Sequence, residues 1–299
     1  ALSVQIDGGD ARTIGLFLAG TGSVVRGLSV TNFTDVGIWL AGNDVSAICN
    51  YVGVDADGSD NGTNGNAVAG IRLGGGNNAR VGGLNFGEGN LIAHNGDGVE
   101  IPAVQGTIQG NILRDNVNNG VFVNPSIIDI VGNTIEQNVI TGNGHDGVQV
   151  LRAGGAGSFG NLISQNSIFG NGTAANDLGI DLLDPDGVNP NDPGDTDSGN
   201  PTNNGQNYPV LTSASTGGGS TTVVGTLDSV SGATYTIEFF SNPACDASGH
   251  GQGKTYIGST AVTVNGGNPT GAFTATGLGN TALGASVTAT AINTSTNDT

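Results

Sequence analysis

The sequence predicts an all-β molecule with two parts, a solenoid of short strands followed by an antiparallel immunoglobulin-like β-sandwich. Three observations predict it. A short glycine-led apolar step recurs through the first part, asparagine pairs recur between these steps, and the end of the chain changes to longer alternating strands. Repeats that cannot bury an apolar face alone form a continuous core by stacking on their neighbours.

The recurring step is a glycine followed by two apolar residues that flank one variable residue. Its seven copies begin at Gly15, Gly37, Gly70, Gly98, Gly120, Gly147 and Gly179. Successive copies lie 22 to 33 residues apart, so the minimal unit has about 22 residues and the longer steps hold insertions at corners. Seven coils at about 4.8 Å each would form a rod about 34 Å long.

Asparagine pairs mark the corners between these steps. An asparagine is followed five places later by a second one, with an apolar step between them, starting from Asn90, Asn111, Asn133 and Asn161. We expect these four to occupy equivalent corners of successive coils. Asparagine tolerates left-handed backbone there and can bond side chain to side chain. The predicted role of these ladders is structural, because turn chemistry explains them.

Composition divides the chain into three segments. Residues 1–183 form the predicted solenoid, residues 184–206 an acidic Asp/Pro/Asn linker, and residues 207–299 the predicted sandwich. Proline has no backbone N–H, so the prolines of the linker cannot donate the hydrogen bonds that join strands in a sheet. The last segment alternates through several strands separated by turns, which is typical of an immunoglobulin-like sandwich. A domain in this position would also cover the last open coil of the solenoid.

Composition and charge exclude several classes of partner. Seven Lys and Arg against 25 Asp and Glu give a formal net charge of −18, which opposes binding to nucleic acid or to anionic lipid. The apolar runs are too short to span a membrane. Cys49 and Cys245 are far apart in sequence, and we expect two unpaired thiols. Because the chain starts with Ala in strand-like sequence, we expect a piece of a longer secreted protein.

Several stretches resemble bacterial secreted proteins of the right-handed parallel β-helix repeat family, within the pectate-lyase-like superfamily. They are residues 50–58 (NYVGVDADG), 178–195 around the linker, 206–211 (QNYPVL) and 238–242 (EFFSN). The resemblance covers nearly the whole chain. It implies a right-handed parallel β-helix and an extracellular or cell-surface location. It implies no activity, because this fold hosts lyases, hydrolases, adhesins and structural rods.

The variable residue of each glycine-led step should point outward, because side chains alternate along a strand. The predicted outward column is Trp39, Arg72, Glu100, Phe122, Gln149 and Asp181. Such a strip could bind a surface polysaccharide, with rings stacked on sugar faces and polar groups bonded to hydroxyls. The alternative is an ordinary exposed strip, since scattered surface aromatics need no explanation.

Two carboxylates are candidates for hydrolysis. Asp97 and Asp146 precede the glycine two coils apart, which would separate them by about 10 Å, near the distance of an inverting glycosidase. His145 beside Asp146 is a candidate proton carrier, although all three could equally be corner residues. The segment 144–147 departs from the Gly-His-Gly of polygalacturonases, and the sequence lacks the Arg and Lys cluster of pectate lyases.

Calcium is the one cofactor that the sequence suggests, and no organic cofactor is expected. Asp55 and Asp57 fall on alternate positions of a calcium-loop spacing, although the later glutamate of that motif is missing. A second set of candidates lies in or next to the linker: Asp184, Asp186, Asp192, Asp195 and Asp197. Solvated turns are the alternative explanation for both sets.

Two functions compete at this stage. We expect a structural or adhesive module of a bacterial surface protein, a stiff rod whose open first coil near residues 4–6 could accept a strand from another copy and build fibres end to end. The alternative is a polysaccharide-degrading hydrolase or lyase. The first is preferred, because no set of converging catalytic groups is visible in the sequence.

Overall fold

The structure is a computed structural model that describes residues 2–59, 62–103, 105–125, 129–152, 155–183, 186–196, 202–246, 248–265 and 270–299. This part of the chain is all-β apart from one short 3-10 helix at Asn203–Gly205. No helix in it is long and apolar enough to cross a membrane.

The first part is a parallel β-helix. Its strands are β1 (Val4–Asp7), β2 (Ile14–Leu18), β3 (Val24–Arg26), β4 (Leu28–Thr31), β5 (Val36–Leu40), β6 (Ser46–Ile48), β7 (Tyr51–Val52), β8 (Ala69–Leu73), β9 (Ala79–Gly82), β10 (Leu91–Ala93), β11 (Asp97–Ile101), β12 (Gly106–Gln109), β13 (Ile112–Arg114), β14 (Val121–Val123), β15 (Ile130–Val131), β16 (Thr134–Glu136), β17 (Val139–Thr141), β18 (Val148–Leu151), β19 (Ser158–Phe159), β20 (Leu162–Ser164), β21 (Ser167–Phe169) and β22 (Ile180–Leu183).

These strands stack into three long parallel sheets. Sheet 1 has the order β1-β4-β7-β10-β13-β17-β21, sheet 2 the order β2-β5-β8-β11-β14-β18-β22, and sheet 3 the order β3-β6-β9-β12-β16-β20. A short extra pair, β15 with β19, lies beside them. Seven strands in each of sheets 1 and 2 confirm the predicted solenoid of seven coils.

The second part is antiparallel. Its strands are β23 (Val210–Gly217), β24 (Ser220–Asp228), β25 (Thr234–Asn242), β26 (Thr255–Thr263), β27 (Thr270–Leu278) and β28 (Ser286–Asn293). They form two three-stranded sheets, β23-β24-β27 and β26-β25-β28. Buried residues of both sheets share one apolar core that includes Val223, Tyr235, Phe239 and Phe273. The two sheets therefore pack face to face.

Alternation along the short strands builds the core of the solenoid. In the inner coils of sheet 2 the residues on both sides of the variable position are buried, as Ile71 and Leu73 are in β8. The glycine that opens each step is required because neighbouring coils approach each other closely there. A Cβ on Gly120, for example, would lie 2.6 Å from the carbonyl oxygen of Gly147 in the next coil. The glycine-led step thus stacks directly on its copies.

Buried asparagines form three ladders along the solenoid. In the two longer ladders, the Oδ1 atom accepts hydrogen bonds from the backbone and side-chain nitrogens of the preceding rung, as Asn138 does from Asn111 at 3.0 Å for both. One ladder is Asn50, Asn90, Asn111, Asn138 and Asn166. Another is Asn66, Asn95, Asn116, Asn143 and Asn171, and a third joins Asn133 to Asn161.

The register corrects the predicted equivalence of the four asparagine pairs. Asn111 donates to Asn138 in the next coil. Asn133 instead accepts a hydrogen bond from the Gly106 amide and donates to Asn161. Asn90 and Asn111 precede strands of sheet 1, but Asn133 and Asn161 precede strands of sheet 3. The same short motif therefore occurs at two different corners of one coil, and sequence spacing alone cannot separate them.

The last coil is covered by residues that follow the solenoid. Asn203 accepts from the backbone and side-chain nitrogens of Asn161, and Gln252 does the same for Asn171, so each completes a ladder. Glu238 of β25 accepts from the Ser164 hydroxyl at 2.7 Å and from the Gln165 amide at 2.9 Å. These contacts satisfy donors that would otherwise form an open sheet edge.

Candidate functional site

Sheet 2 carries the predicted outward column in register. The pairs run Trp39 to Arg72, Arg72 to Glu100, Glu100 to Phe122, Phe122 to Gln149 and Gln149 to Asp181. Phe17 of the first coil extends the column, because it pairs with Trp39 and is 58% exposed. The sequence already held this signal in the looser first copy of the step, at residues 15–18.

Arg72 is the organising residue at the N-terminal end of the column. Its Nε lies 2.6 Å from Glu100 Oε2, and its Nη2 lies 3.2 Å from Asp35 Oδ1. The guanidinium carbon also lies 5.2 Å from the ring centroid of Trp39, a cation–π distance. Asp35 was not predicted, because it lies at a corner rather than at the variable position. Arg72 is therefore neutralised by two carboxylates within the protein.

Trp39 is fixed from several sides. Its indole nitrogen donates to the carbonyl of Gly74 at 2.8 Å, and its ring meets Phe17 edge to face at 5.5 Å between centroids. Aromatic pairs prefer this arrangement. Since Trp39 is half-buried and Phe17 is exposed, the two rings form a preordered apolar patch beside the Arg72 ion pairs.

The column is less exposed at its other end than the sequence suggested. Phe122 and Gln149 are half-buried. Asp181 is fully buried, so its predicted place on an open groove is wrong. The backbone amide of Gly187 donates to its Oδ2 at 3.3 Å, so this glycine lies against the last coil. Glu100 is buried as well, so the accessible side chains of the face, Phe17, Trp39, Arg72 and Phe122, lie on both sides of it.

Asp97 and Asp146 lie two coils apart with Asn119 between them, as predicted. Asn119 donates its side-chain nitrogen to Asp97 Oδ1 at 3.1 Å, and the Asp146 amide donates to Asn119 Oδ1 at 3.1 Å. Asp146 in turn accepts from the Leu178 amide and from the Gln149 side chain. The three form a further buried ladder, which gives both carboxylates a structural role.

Burial sets the proton affinity of these carboxylates. Burial raises the pKa of Asp97 to about 6, and the Asn119 bonds oppose the rise. Burial also raises the pKa of Asp146 to about 6, where the Leu178 amide opposes it and the charge of Asp177 adds to it. For Asp181, burial and then the charge of Asp146 raise the pKa to about 8. Such pKa values suit a proton donor near neutral pH.

His145 does not complete a catalytic arrangement with Asp146. Its side chain is 58% exposed, and its Nδ1 lies 3.4 Å from Asp177 Oδ1. Asp177 in turn accepts from the amides of Thr173 and Ala174 through its other oxygen. The imidazole therefore lies at a corner on the surface.

The calcium candidates accept hydrogen bonds from the protein itself. Asp55 accepts from Gln5 at 2.8 Å and from Asn64 at 2.6 Å, and Asp57 accepts from the Ser59 amide at 2.7 Å. In the acidic segment, Asp186 accepts from Asn176, Asp192 from Thr196 and Asp195 from Ser229. Asp184 and Asp197 lie outside the described residues. Within the described ranges, no three His, Cys, Asp or Glu side chains converge to hold a metal ion.

Comparison with known proteins identifies the family. The family described as periplasmic copper-binding protein (NosD) matches residues 19–185, more than half of the chain. The chain therefore belongs to this family, and the resemblance to parallel β-helix repeat proteins is confirmed. The periplasmic description agrees with a location in the cell envelope or outside the cell. The search of curated proteins found no match.

Two crystal structures are similar in fold over 89% of this chain. One is the Dettilon tailspike protein, with 14% identity, a TM-score of 0.35 and 75% of that chain covered. The other is the enzymatically active domain of tailspike protein 2 of bacteriophage CBA120, with 12% identity and a TM-score of 0.34. This chain spans about half the length of the second, 49%.

The family description names copper, but the side chains of this protein do not provide a suitable set of copper ligands. Copper in proteins prefers imidazole and sulfur ligands. The sequence has no Met, three His and two Cys, and Cys49 and Cys245 are both free thiols. His145 pairs with Asp177 and His250 contacts Tyr208, in different parts of the molecule. The described residues therefore do not assemble a copper site.

Proposed function

We propose that this protein is an extracellular structural and adhesive module that binds neutral polysaccharide along sheet 2, between Phe17 and Phe122. The observation that carries the proposal is the preordered patch of Phe17, Trp39 and the Arg72 ion pairs. Rigid aromatic rings beside fixed polar groups suit a sugar chain, because binding then orders few side chains. A neutral chain is favoured, since Arg72 already has two carboxylate partners and the net charge is −18.

The proposal is tested by affinity electrophoresis against neutral and acidic polysaccharides. We expect Phe17→Ala and Trp39→Ala each to weaken binding about tenfold or more, which corresponds to about 1.4 kcal/mol. Phe86→Ala is the matched control, because Phe86 is a fully exposed aromatic at a corner away from the column. Equal losses in all three variants, or preferential retention in acidic gels, would contradict the proposal.

We also propose end-to-end association, but only through the first-coil end of the solenoid. Strands β1, β2 and β3 of the first coil each have a neighbour on one side only in the described structure, so this edge accepts a further strand, whether from a second copy or from any residues that precede this sequence. The opposite end is covered by Asn203, Glu238 and Gln252. Pairs joined through two first coils are therefore favoured over fibres. Analytical ultracentrifugation and electron micrographs distinguish pairs from fibres.

Polysaccharide hydrolysis is the second candidate function, and the raised pKa values of Asp97 and Asp146 favour it. We nevertheless expect no turnover, because both carboxylates are buried and accept hydrogen bonds within their ladder. The measurement is release of reducing ends from the polysaccharides used above. Turnover that Asp97→Asn and Asp146→Asn both abolish, but that Asp10→Asn retains, would establish the enzyme instead.

Calcium binding by the acidic segment 184–197 stays a proposal. If its carboxylates hold the ion in the folded protein, chelation lowers the melting temperature and exposes the segment to protease, because a ligand of the native state stabilises it by mass action. Differential scanning calorimetry with chelator, and then with calcium or magnesium restored, measures this. Identical melting curves in all conditions would exclude it.

A further inference from the structure

Asparagine is followed by glycine at several corners of this molecule, and such pairs are chemically reactive. The glycine nitrogen gives up its proton to hydroxide and attacks the side-chain Cγ of the asparagine. A C–N bond forms, and the side-chain nitrogen takes up a proton from water and leaves as ammonia. Water then opens the resulting succinimide at either carbonyl, which leaves aspartate or isoaspartate. Glycine permits the attack because it has no Cβ, whereas a hydrogen bond that holds its amide opposes it.

Six Asn-Gly pairs lie wholly within the described residues, and in five of them the glycine amide donates a hydrogen bond. Four of the five lie in the solenoid, where the amide donates to a carbonyl of a neighbouring coil and the asparagine is buried. These four pairs begin at Asn95, Asn119, Asn143 and Asn171. In the fifth pair, Asn204-Gly205, the amide donates to the Thr202 carbonyl at 3.0 Å. Attack by any of these glycines first requires its hydrogen bond to open.

The sixth pair, Asn64-Gly65, lies in the insertion between β7 and β8 and differs from the others. Both residues are half-buried, and the Gly65 amide makes no hydrogen bond to any described residue. The Asn64 Oδ1 atom accepts from the Thr63 hydroxyl at 3.3 Å, and a donor at this oxygen stabilises the negative charge that develops there during the attack. The Asn64 Nδ2 atom donates to Asp55 Oδ2 at 2.6 Å, which holds the side chain in place. Of the six described pairs, this one has the glycine nitrogen that is not held by a hydrogen bond.

Asp55 also joins this insertion to the first strand. It accepts from Gln5 Nε2 in β1 at 2.8 Å, and the next residue, Ala56, donates its amide to Gln5 Oε1 at 3.3 Å. The Ala56 carbonyl accepts from the Leu2 amide at 2.5 Å. A carboxylate at position 64 would remove one donor from Asp55 and place a like charge beside it, which is unfavourable. The contacts of Asp55 and Ala56 with the start of the chain would then weaken.

We propose that Asn64 is a modification site at which spontaneous deamidation produces aspartate or isoaspartate, and that the new carboxylate loosens the insertion from β1. The reaction needs only water and no partner enzyme. The modification accumulates with the age of the folded protein, whereas the buried asparagines of the ladders are spared. The site is separate from the outward face of sheet 2 and does not depend on polysaccharide binding.

Tandem mass spectrometry of the folded protein, after incubation at mildly alkaline pH, measures the reaction at each position through the mass gained when OH replaces NH2. Asn204 is the matched comparison, because it is also half-buried and its Nδ2 also lies 2.6 Å from a carboxylate oxygen, that of Asp298. We expect Asn64 to react at least about tenfold faster than Asn204, since Gly205 must first release its hydrogen bond. In urea the two rates should become similar. Equal rates in the folded protein, or a difference that persists unchanged in urea, would overturn the proposal.

The effect on β1 is tested with variants. Asn64→Asp reproduces the aspartate product, and Asn64→Ala is its control, because alanine removes the same donor from Asp55 without adding charge. Hydrogen exchange at the amides of Leu2 and Ala56 reports the contact between the insertion and the start of the chain. We expect several-fold faster exchange in Asn64→Asp than in Asn64→Ala, and a smaller excess at high salt, which screens the two carboxylates. The same exchange rates in both variants would show that the new charge does not loosen the insertion.

Discussion

Replacing Asp181 by Asn is expected to stabilise the protein at pH 8 and to change little at pH 4. Asp181 is fully buried, and its Oδ1 has no hydrogen-bond partner. Burial, followed by the charge of Asp146, raises its pKa to about 8 from an ordinary 3.8. Between these two pKa values, Asp181 therefore keeps its proton in the folded protein, whereas it has lost that proton in the unfolded chain. An amide keeps the acceptor for Gly187 without that release.

The sign of the pH dependence follows from this difference. Between about pH 4 and pH 8 the native state binds more protons than the unfolded state, so the free energy of unfolding falls as pH rises. The stability is fully present below the unfolded pKa and is lost as pH approaches the folded pKa. At about 1.4 kcal/mol per pKa unit the upper limit is about 6 kcal/mol. Coupling to Asp146 makes the measured titration a property of the pair.

Urea unfolding of wild type and Asp181→Asn from pH 4 to pH 9 measures the difference. Asp57→Asn is the control, because Asp57 is exposed and the Ser59 bonds lower its pKa; this substitution should give no gain at pH 8. A variant that is no more stable than wild type at pH 8, or a gain that is the same at every pH, would show that Asp181 is not buried as a neutral acid.

Sequence patterns determine most of the solenoid but not its closure. The glycine-led step fixes the register of sheet 2, because side chains alternate with a period of two and the glycines stack at close range. Trp39, Arg72, Glu100 and Phe122 could thus be aligned without coordinates. The burial of Asp181 could not, since it depends on the later segment around Gly187, which lies against the last coil.

The other differences have the same origin. Asp35 reaches Arg72 across a coil from a corner, where neither spacing nor alternation marks it. Gln252 completes an asparagine ladder from 81 residues further along the chain, with an amide of the same chemistry but a different residue type. Contacts within one coil or between equivalent positions follow from the repeat. Contacts made by inserted corners and by the antiparallel part are tertiary, and a repeat carries no information about them.

Replacing Asn111 by Ala is expected to lower the free energy of unfolding by about 4 kcal/mol. Asn111 is buried at the middle of its ladder, where its Oδ1 accepts from the backbone and side-chain nitrogens of Asn90 at 3.0 and 2.8 Å. Its nitrogen donates to the carbonyl of Val81 and to Asn138 Oδ1, both at 3.0 Å. Alanine leaves the buried Asn90 amide without its acceptor, at about 1 to 3 kcal/mol, and removes one hydrogen bond each from the Asn90 side-chain nitrogen, the Val81 carbonyl and Asn138 Oδ1.

The control is Asn118→Ala, because Asn118 is a half-buried corner residue whose amide bond to Gly96 the substitution retains; it should cost about 0.5 kcal/mol or less. Urea unfolding gives both energies, and hydrogen exchange locates the damage. Since each coil contacts only its neighbours, protection should fall first at the amides of Asn90 and Asn111. Similar costs for the two substitutions would mean that the ladder merely fills space, and uniform loss of protection would mean that the coils do not act as separate units.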